Sequence, residues 1–272
     1  MTIRAATSTA LDSPRGPGVG AAISSEFIKL ISLPTQRALL LVASGTAALV
    51  AVVFYVSLPI TQGRGVSELE PGEILGAGIL GVDAAAFITI ILAAMHVGSE
   101  YSTGMVQSTL TITPSRSRVL AGKFVTVAVT SLAVGAIAAA VCVGAALAVA
   151  GMLGIDPNLI LTASGIQLAL GSIAMPVLYS VIAASAAFVC RSTALGIAIP
   201  LAVMAVGGLI GWFGDRASAV LTPLMPVAAI HSFSGVATGH ESIGLAGATL
   251  SVISWLGVGI GAAAWQLLRR DA

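Results

Sequence analysis

Charge is scarce in this chain. Asp, Glu, Lys and Arg make up 8% of it, where a soluble domain carries about 25%. That shortage excludes an ordinary water-facing surface. A net charge of +1 supplies no global field to attract nucleic acid, so no nucleic-acid partner is expected. Cysteine is nearly absent: Cys142 and Cys190 support neither a disulfide framework nor a metal knuckle, and a structural role is expected for both. The phosphate-loop spacing G-x-x-x-x-G-K-[ST] is missing. Gly122–Lys123 is followed by Phe124 and lacks a glycine at the required upstream spacing, so this chain holds no nucleotide site of that kind. H-E-x-x-H is missing too. His96 and Glu100, spaced i, i+4, offer two ligands, fewer than a zinc site needs, and no metal is expected.

What fills the chain is apolar. The hydrophobic fraction is 57% and the mean hydropathy +1.04. Runs such as Ala133–Ala150 do not alternate in polarity, which argues against a membrane β-barrel. Six windows nearly free of charge run Arg37–Arg64, Glu73–Glu100, Lys123–Asp156, Asp156–Arg191, Arg191–Asp215 and Glu241–Arg269. Each has room for the roughly 20 apolar residues of a helical crossing. In hydrocarbon the backbone must satisfy its own hydrogen bonds, so the crossings are expected to be helices. The fold class is an all-α polytopic membrane protein, with crossings near Ala38–Leu58, Ile74–Val97, Phe124–Ala150, Ile166–Cys190, Thr193–Phe213 and Gly244–Leu268.

Basic residues orient such a chain. With six crossings, Arg4, Arg15, Lys29, Arg37, Arg116, Arg118, Lys123, Arg191, Arg269 and Arg270 fall on one side and only Arg64 and Arg216 on the other. Both termini are therefore expected in the cytoplasm. The opposite loops hold Glu68, Glu70, Glu73, Asp156, Asp215 and Glu241.

Residues 1–20 are polar and rich in Pro, Gly, Ser and Thr, the composition of a disordered tail. They contain no apolar core of the length a cleavable signal peptide needs. Over residues 21–36, Ile23, Phe27, Leu30 and Ile31 recur at helical spacing, with Glu26 and Lys29 off that stripe. This reads as an amphipathic helix lying in the interface; an extension of the first span is the alternative. Residues 37–272 form the six-helix domain. Pro176 and Pro200 predict kinks in the fourth and fifth spans. Gly207–Gly211 and Gly257–Gly261 have G-x-x-x-G spacing and predict packing faces. Residues 214–243 contain Leu221–Ile230, apolar but too short to cross and carrying Pro223 and Pro226. A re-entrant outer segment before the sixth span is expected.

Two places invite a functional reading. Asp83 is the one acid inside a span; an ionised Asp at a helix centre costs about 2.5–3.5 kcal/mol on insertion scales. It is a candidate for a substrate path, although water or a partner helix near the outer end could relieve it. The other place is the loop 98–123, GSEYSTGMVQSTLTITPSRSRVLAGK. Glu100 and Tyr101 sit where the second helix emerges, Gly104 allows a bend, and Val106 and Leu110 share an apolar face beside Met105 and Thr109. Pro114 breaks the segment, and Arg116, Arg118 and Lys123 return the chain to the membrane. These basic residues read either as topological anchors or as functional groups.

The order acidic–aromatic–x–x–Gly, a short apolar stretch, then Pro–Ser–Arg–x–Arg and Lys resembles type-2 ABC transporter permeases, the membrane subunits of ATP-driven exporters. Ser102 and Thr103 stand where many of those proteins carry a basic residue. The layout of interfacial helix, six crossings and apolar outer segment resembles theirs as well. The resemblance implies that Glu100, Tyr101, Gly104, Pro114, Arg116, Arg118 and Lys123 belong to a coupling helix and its flanks, docked on a cytoplasmic ATPase. It implies two copies of that ATPase, which would bind ATP and magnesium, and a second permease copy, identical or homologous. No cofactor is expected in this chain. Its surroundings would be the lipid of a bacterial inner membrane. The cargo would be hydrophobic or amphipathic: a lipid, a peptide antibiotic or a drug. Two other classes are weighed: an intramembrane enzyme on lipid or peptide, and an ion-coupled carrier. The sequence displays no nucleophile–base pair for the first and no paired intramembrane charges or inverted repeat for the second.

Overall fold

The computed structural model describes residues 18–63, 70–112 and 115–269. The tail expected over residues 1–20 falls mostly outside them, as do Arg64, Glu68, Pro114 and Arg270. Among the described residues all regular structure is helical, as a backbone with few polar partners requires. Six helical stretches are long and apolar enough to cross a membrane: Pro34–Thr61, Pro71–Ser102, Arg116–Met152, Ala163–Cys190, Thr193–Phe213 and Gly244–Leu267. They coincide with the six windows. Several extend beyond the expected crossings because helix continues past the apolar stretch.

Local chemistry sets the boundaries. Helix α1 (Val19–Ser32) stops at Leu33, whose backbone is extended, and α2 (Pro34–Gln62) begins with proline at its first position. Proline fits there because its missing N–H would have no helical partner. Helix α3 (Pro71–Ser102) starts in a capping box: the Glu73 side chain accepts from the Glu70 N–H at 3.1 Å. Gly104, at φ +73°, turns the chain into the short helix α4 (Met105–Ile112), a conformation that glycine adopts without Cβ strain. Helix α5 (Arg116–Met152) follows.

The fourth span is broken into α6 (Ala163–Ser172) and α7 (Ala174–Cys190). The kink expected from Pro176 lies here, because a proline nitrogen cannot donate to the carbonyl four residues back, at Ser172. The fifth span, α8 (Thr193–Leu209), instead continues as helix through Pro200. After it come α9 (Asp215–Leu221) and α10 (Pro226–Ser234), bent by 79° across a break at Met225. Helix α11 (Gly244–Arg269) is last.

Helices α3 and α7 form the centre. In the most apolar window of the span, 61% of α3 and 72% of the α6–α7 pair is buried, against 6% for α11. Small residues let the neighbours approach. Ala43, Ala47 and Ala51 of α2 and Ala138, Cys142, Ala146 and Ala150 of α5 recur every four residues and are fully buried in one cluster. At Gly81 of α3 a Cβ would meet the Ala47 carbonyl oxygen and the Cys142 sulfur. Small residues therefore pack these spans, as expected for membrane helices; of the expected G-x-x-x-G residues, Gly207 alone lies against a neighbour, Val227 of α10. Gly211, Gly257 and Gly261 have nothing within contact distance of a Cβ.

Candidate functional site

Helix α1 is where the structure departs most from the sequence reading. Its buried face is Ala22, Glu26 and Leu30, so Glu26 lies on the inward stripe rather than off it. Ile28 and Ile31 point outward. A buried carboxylate needs compensation, and here it is abundant. Lys123 of α5 donates to Glu26 Oε2 at 2.8 Å, and Lys29 donates to Oε1 at 2.7 Å. His96 Nε2 lies 3.2 Å from Oε2, without the alignment of a good hydrogen bond.

The same two lysines hold Glu100. Lys123 Nζ is 2.8 Å and Lys29 Nζ 2.9 Å from its Oε1. Two carboxylates and two ammonium groups thus alternate in a closed set, joining α1, α3 and α5 at the α4 end of the bundle. Relative exposure is 2% for Glu26 and Lys123, 3% for His96 and 6% for Glu100; only Lys29 is partly open. Burial alone would push the Glu26 carboxyl up. The neighbouring His96 and the bonds and charge of Lys123 and Lys29 outweigh it and hold Glu26 well below the carboxylate range. Burial would likewise lower the Lys29 ammonium pKa, yet its bonds to Glu26 and Glu100 raise it. Gly122 permits the approach: a Cβ there would lie 3.3 Å from the Ala22 carbonyl.

Of the loop residues expected to act together, Glu100 and Lys123 lie in this cluster, while Tyr101 and Arg116 make contacts of their own. Tyr101 packs edge-on to Phe188 at 6.3 Å, Phe188 stacks on Phe124 at 5.6 Å, and the Arg191 guanidinium lies 5.8 Å from the Tyr101 ring centre. Arg191 is the only described non-glycine residue with positive φ, +50°; the cation–π contact offsets part of that strain. Arg116 Nη1 donates to the Leu267 carbonyl at 2.7 Å, satisfying one of the last acceptors of α11. Arg118 is half-buried in the first turn of α5. Lys29 also reaches the Thr109 hydroxyl of α4 at 3.4 Å. Pro114 lies outside the described residues.

The sequence reading missed Glu26 and Lys29 as members of this site. The available signal was the spacing Ala22–Glu26–Leu30, an i, i+4, i+8 row with a charge at its centre. His96 and Glu100 do share a helix face, but they turn it toward α1.

Asp83 is not part of the cluster. It lies 17 residues before Glu100 on α3, about 25 Å away at 1.5 Å per residue. There it lines a cavity of about 620 Å³ between α2, α3, α6, α7 and α10, together with Glu73 and His231. His231 Nδ1 is 2.7 Å from Glu241 Oε2.

No protein-family model matches this sequence, and no curated protein matches it significantly.

Proposed function

We propose that this chain is the membrane subunit of an ATP-driven exporter, with α4 as the helix that docks on a separate ATPase. One observation carries the reading. A short helix hangs between two central spans, and both flanks, Glu100 and Lys123, are fastened in one buried charge cluster. A push on α4 would then reach α1, α3 and α5 together, which is what coupling to a motor requires. The exposed residues of α4 are Met105 and the uncharged polar Gln107, Ser108 and Thr111, leaving them for a partner groove.

In this reading two copies of the chain work with two ATPase subunits that bind ATP and magnesium. Both termini face the cytoplasm of a bacterial inner membrane. Ile28 and Ile31 of α1 meet lipid at the interface. The bent pair α9–α10 enters the opposite leaflet without crossing. The cargo is apolar or amphipathic.

The test is co-purification from the native membrane with crosslinking from Ser108→Cys. Recovery of a phosphate-loop ATPase crosslinked at that position, with hydrolysis uncoupled from transport by Glu100→Ala, supports the reading. Recovery of the chain alone, under conditions that keep it folded, removes it. The ion-coupled carrier gains one observation, the buried Glu26–Lys123–Glu100 pairs, since paired buried charges mark ion pathways. Transport driven by a proton gradient in vesicles without ATP would favour that alternative.

A further inference from the structure

We infer that the cavity beside Asp83 is a binding site for a bulky apolar organic cation, with the Asp83 carboxylate as counter-ion. Its volume of about 620 Å³ falls within the small-ligand range of about 300–1,000 Å³. Phe54, Leu58, Leu80, Met175 and Ile230 give it a largely apolar wall. Among the described residues no Lys or Arg lines it, and the ionisable lining groups are Asp83, Glu73 and His231.

Two of those three are engaged. His231 is held by Glu241, and Glu73 closes the capping box at the start of α3. Asp83 has no hydrogen-bond or ion-pair partner among the described residues. The rest follows by elimination. An anion would face Asp83 and Glu73 with no lysine or arginine among the described residues to receive it. A neutral apolar ligand would leave the Asp83 charge uncompensated in apolar surroundings. A small hard cation wants six or more oxygen ligands, and no group of three His, Cys, Asp or Glu side chains converges among the described residues. A large, weakly hydrated organic cation loses little solvation on entry, matches the aliphatic wall and neutralises Asp83.

The site is a binding site whatever drives the protein; only its identification with the exported cargo rests on the transport reading. Binding is therefore measured on the full-length chain alone in nanodiscs, without ATPase, so that its failure leaves that reading untouched. The probes are tetraphenylphosphonium and tetraphenylborate, alike in shape and opposite in charge. Saturable binding of the cation at least ten-fold tighter than that of the anion is expected, weakened ten-fold or more by Asp83→Asn and retained by Asp83→Glu. Leu80→Trp, which fills the cavity from a half-exposed position, lowers binding by a similar factor and decides the matter should Asp83→Asn fail to fold. Equal binding of both probes, or unchanged cation binding in Asp83→Asn or Leu80→Trp, overturns the site.

Discussion

The two ends of α3 treat buried charge in opposite ways. At the α4 end, Glu100 joins Glu26, Lys29 and Lys123 in a set whose charges cancel and whose groups lie 2.7–2.9 Å apart. At the other end Asp83 stands against a cavity with no hydrogen-bond or ion-pair partner among the described residues, His231 being a charge-bearing neighbour on the same wall. A closed set has nothing left to offer a ligand, and its role is to hold helices together. An open carboxylate is a standing cost to the fold, relieved only when something cationic arrives. Charge count alone does not separate a structural site from a recognition site; the presence or absence of compensation does.

The largest effect should come from opening the closed end. Lys123→Met leaves Glu26 and Glu100 dependent on the partly exposed Lys29. Removing one partner of a buried pair costs about 3–5 kcal/mol, so the variant should lose most of its thermal stability in detergent. Glu26→Gln combined with Lys123→Met should be markedly less damaging than the two single costs added, because the pair couples by about 0.5–3 kcal/mol. Additive losses, measured by reversible unfolding, would show that the two residues do not act as a unit.

A smaller effect is expected from separating α1 from α5 without touching a charge. Gly122→Leu forces a side chain against the Ala22 backbone, and such overpacking costs about 1–3 kcal/mol. A spin-label distance between Ser24→Cys and Ser117→Cys, in a chain without its native cysteines, should lengthen. An unchanged distance would mean that α1 is not seated by this contact.

The six spans were legible because a bilayer imposes length and apolarity on continuous windows, and Gly104, Pro34 and Pro176 punctuate them by local rules. Glu26 was not legible. Amphipathic reasoning sends charge toward water, so Ile23, Phe27, Leu30 and Ile31 are expected to form the apolar stripe of an interfacial helix with Glu26 off it; yet Glu26 is buried beside Leu30 while Ile31 is exposed. The distant groups that make this possible, Lys123 and His96, lie 97 and 70 residues further along the chain, and no local pattern reveals them. Asp83 was legible as an anomaly, but its cavity was not, since α10 completes the wall from a distant segment. The glycine pairs misled because small-residue packing here runs through alanines and through other glycines, such as Gly81 and Gly122.

The same spin-label pair tests the closed end with pH. Glu26 is held below its ordinary value of 4.5, so its contribution is fully present above that value and is lost as pH falls further, toward the folded pKa. Lys29 is held above 10.5, so its contribution is fully present below that value and is lost only as pH rises past it. Docking of α1 should therefore be flat between roughly pH 5 and pH 10, with loosening confined to the extremes. A midpoint near neutrality would show that neither Glu26 nor Lys29 governs the docking.

The smallest expected change sharpens the contrast best. Asp83→Asn and Glu26→Gln remove one carboxylate charge each with almost no change in shape. At Glu26 the amide breaks a compensated set and leaves Lys29 and Lys123 with excess positive charge, so stability should fall. At Asp83 nothing bonded is lost, while the cost of holding a lone carboxylate in apolar surroundings disappears. Stability of the ligand-free chain should stay level or rise by up to about 1 kcal/mol. Such a gain, bought with the loss of cation binding, is the trade expected where a fold keeps an unfavourable group for recognition. A clear loss of stability in Asp83→Asn, measured without ligand, would show that Asp83 has a structural partner and that the two ends of α3 are alike.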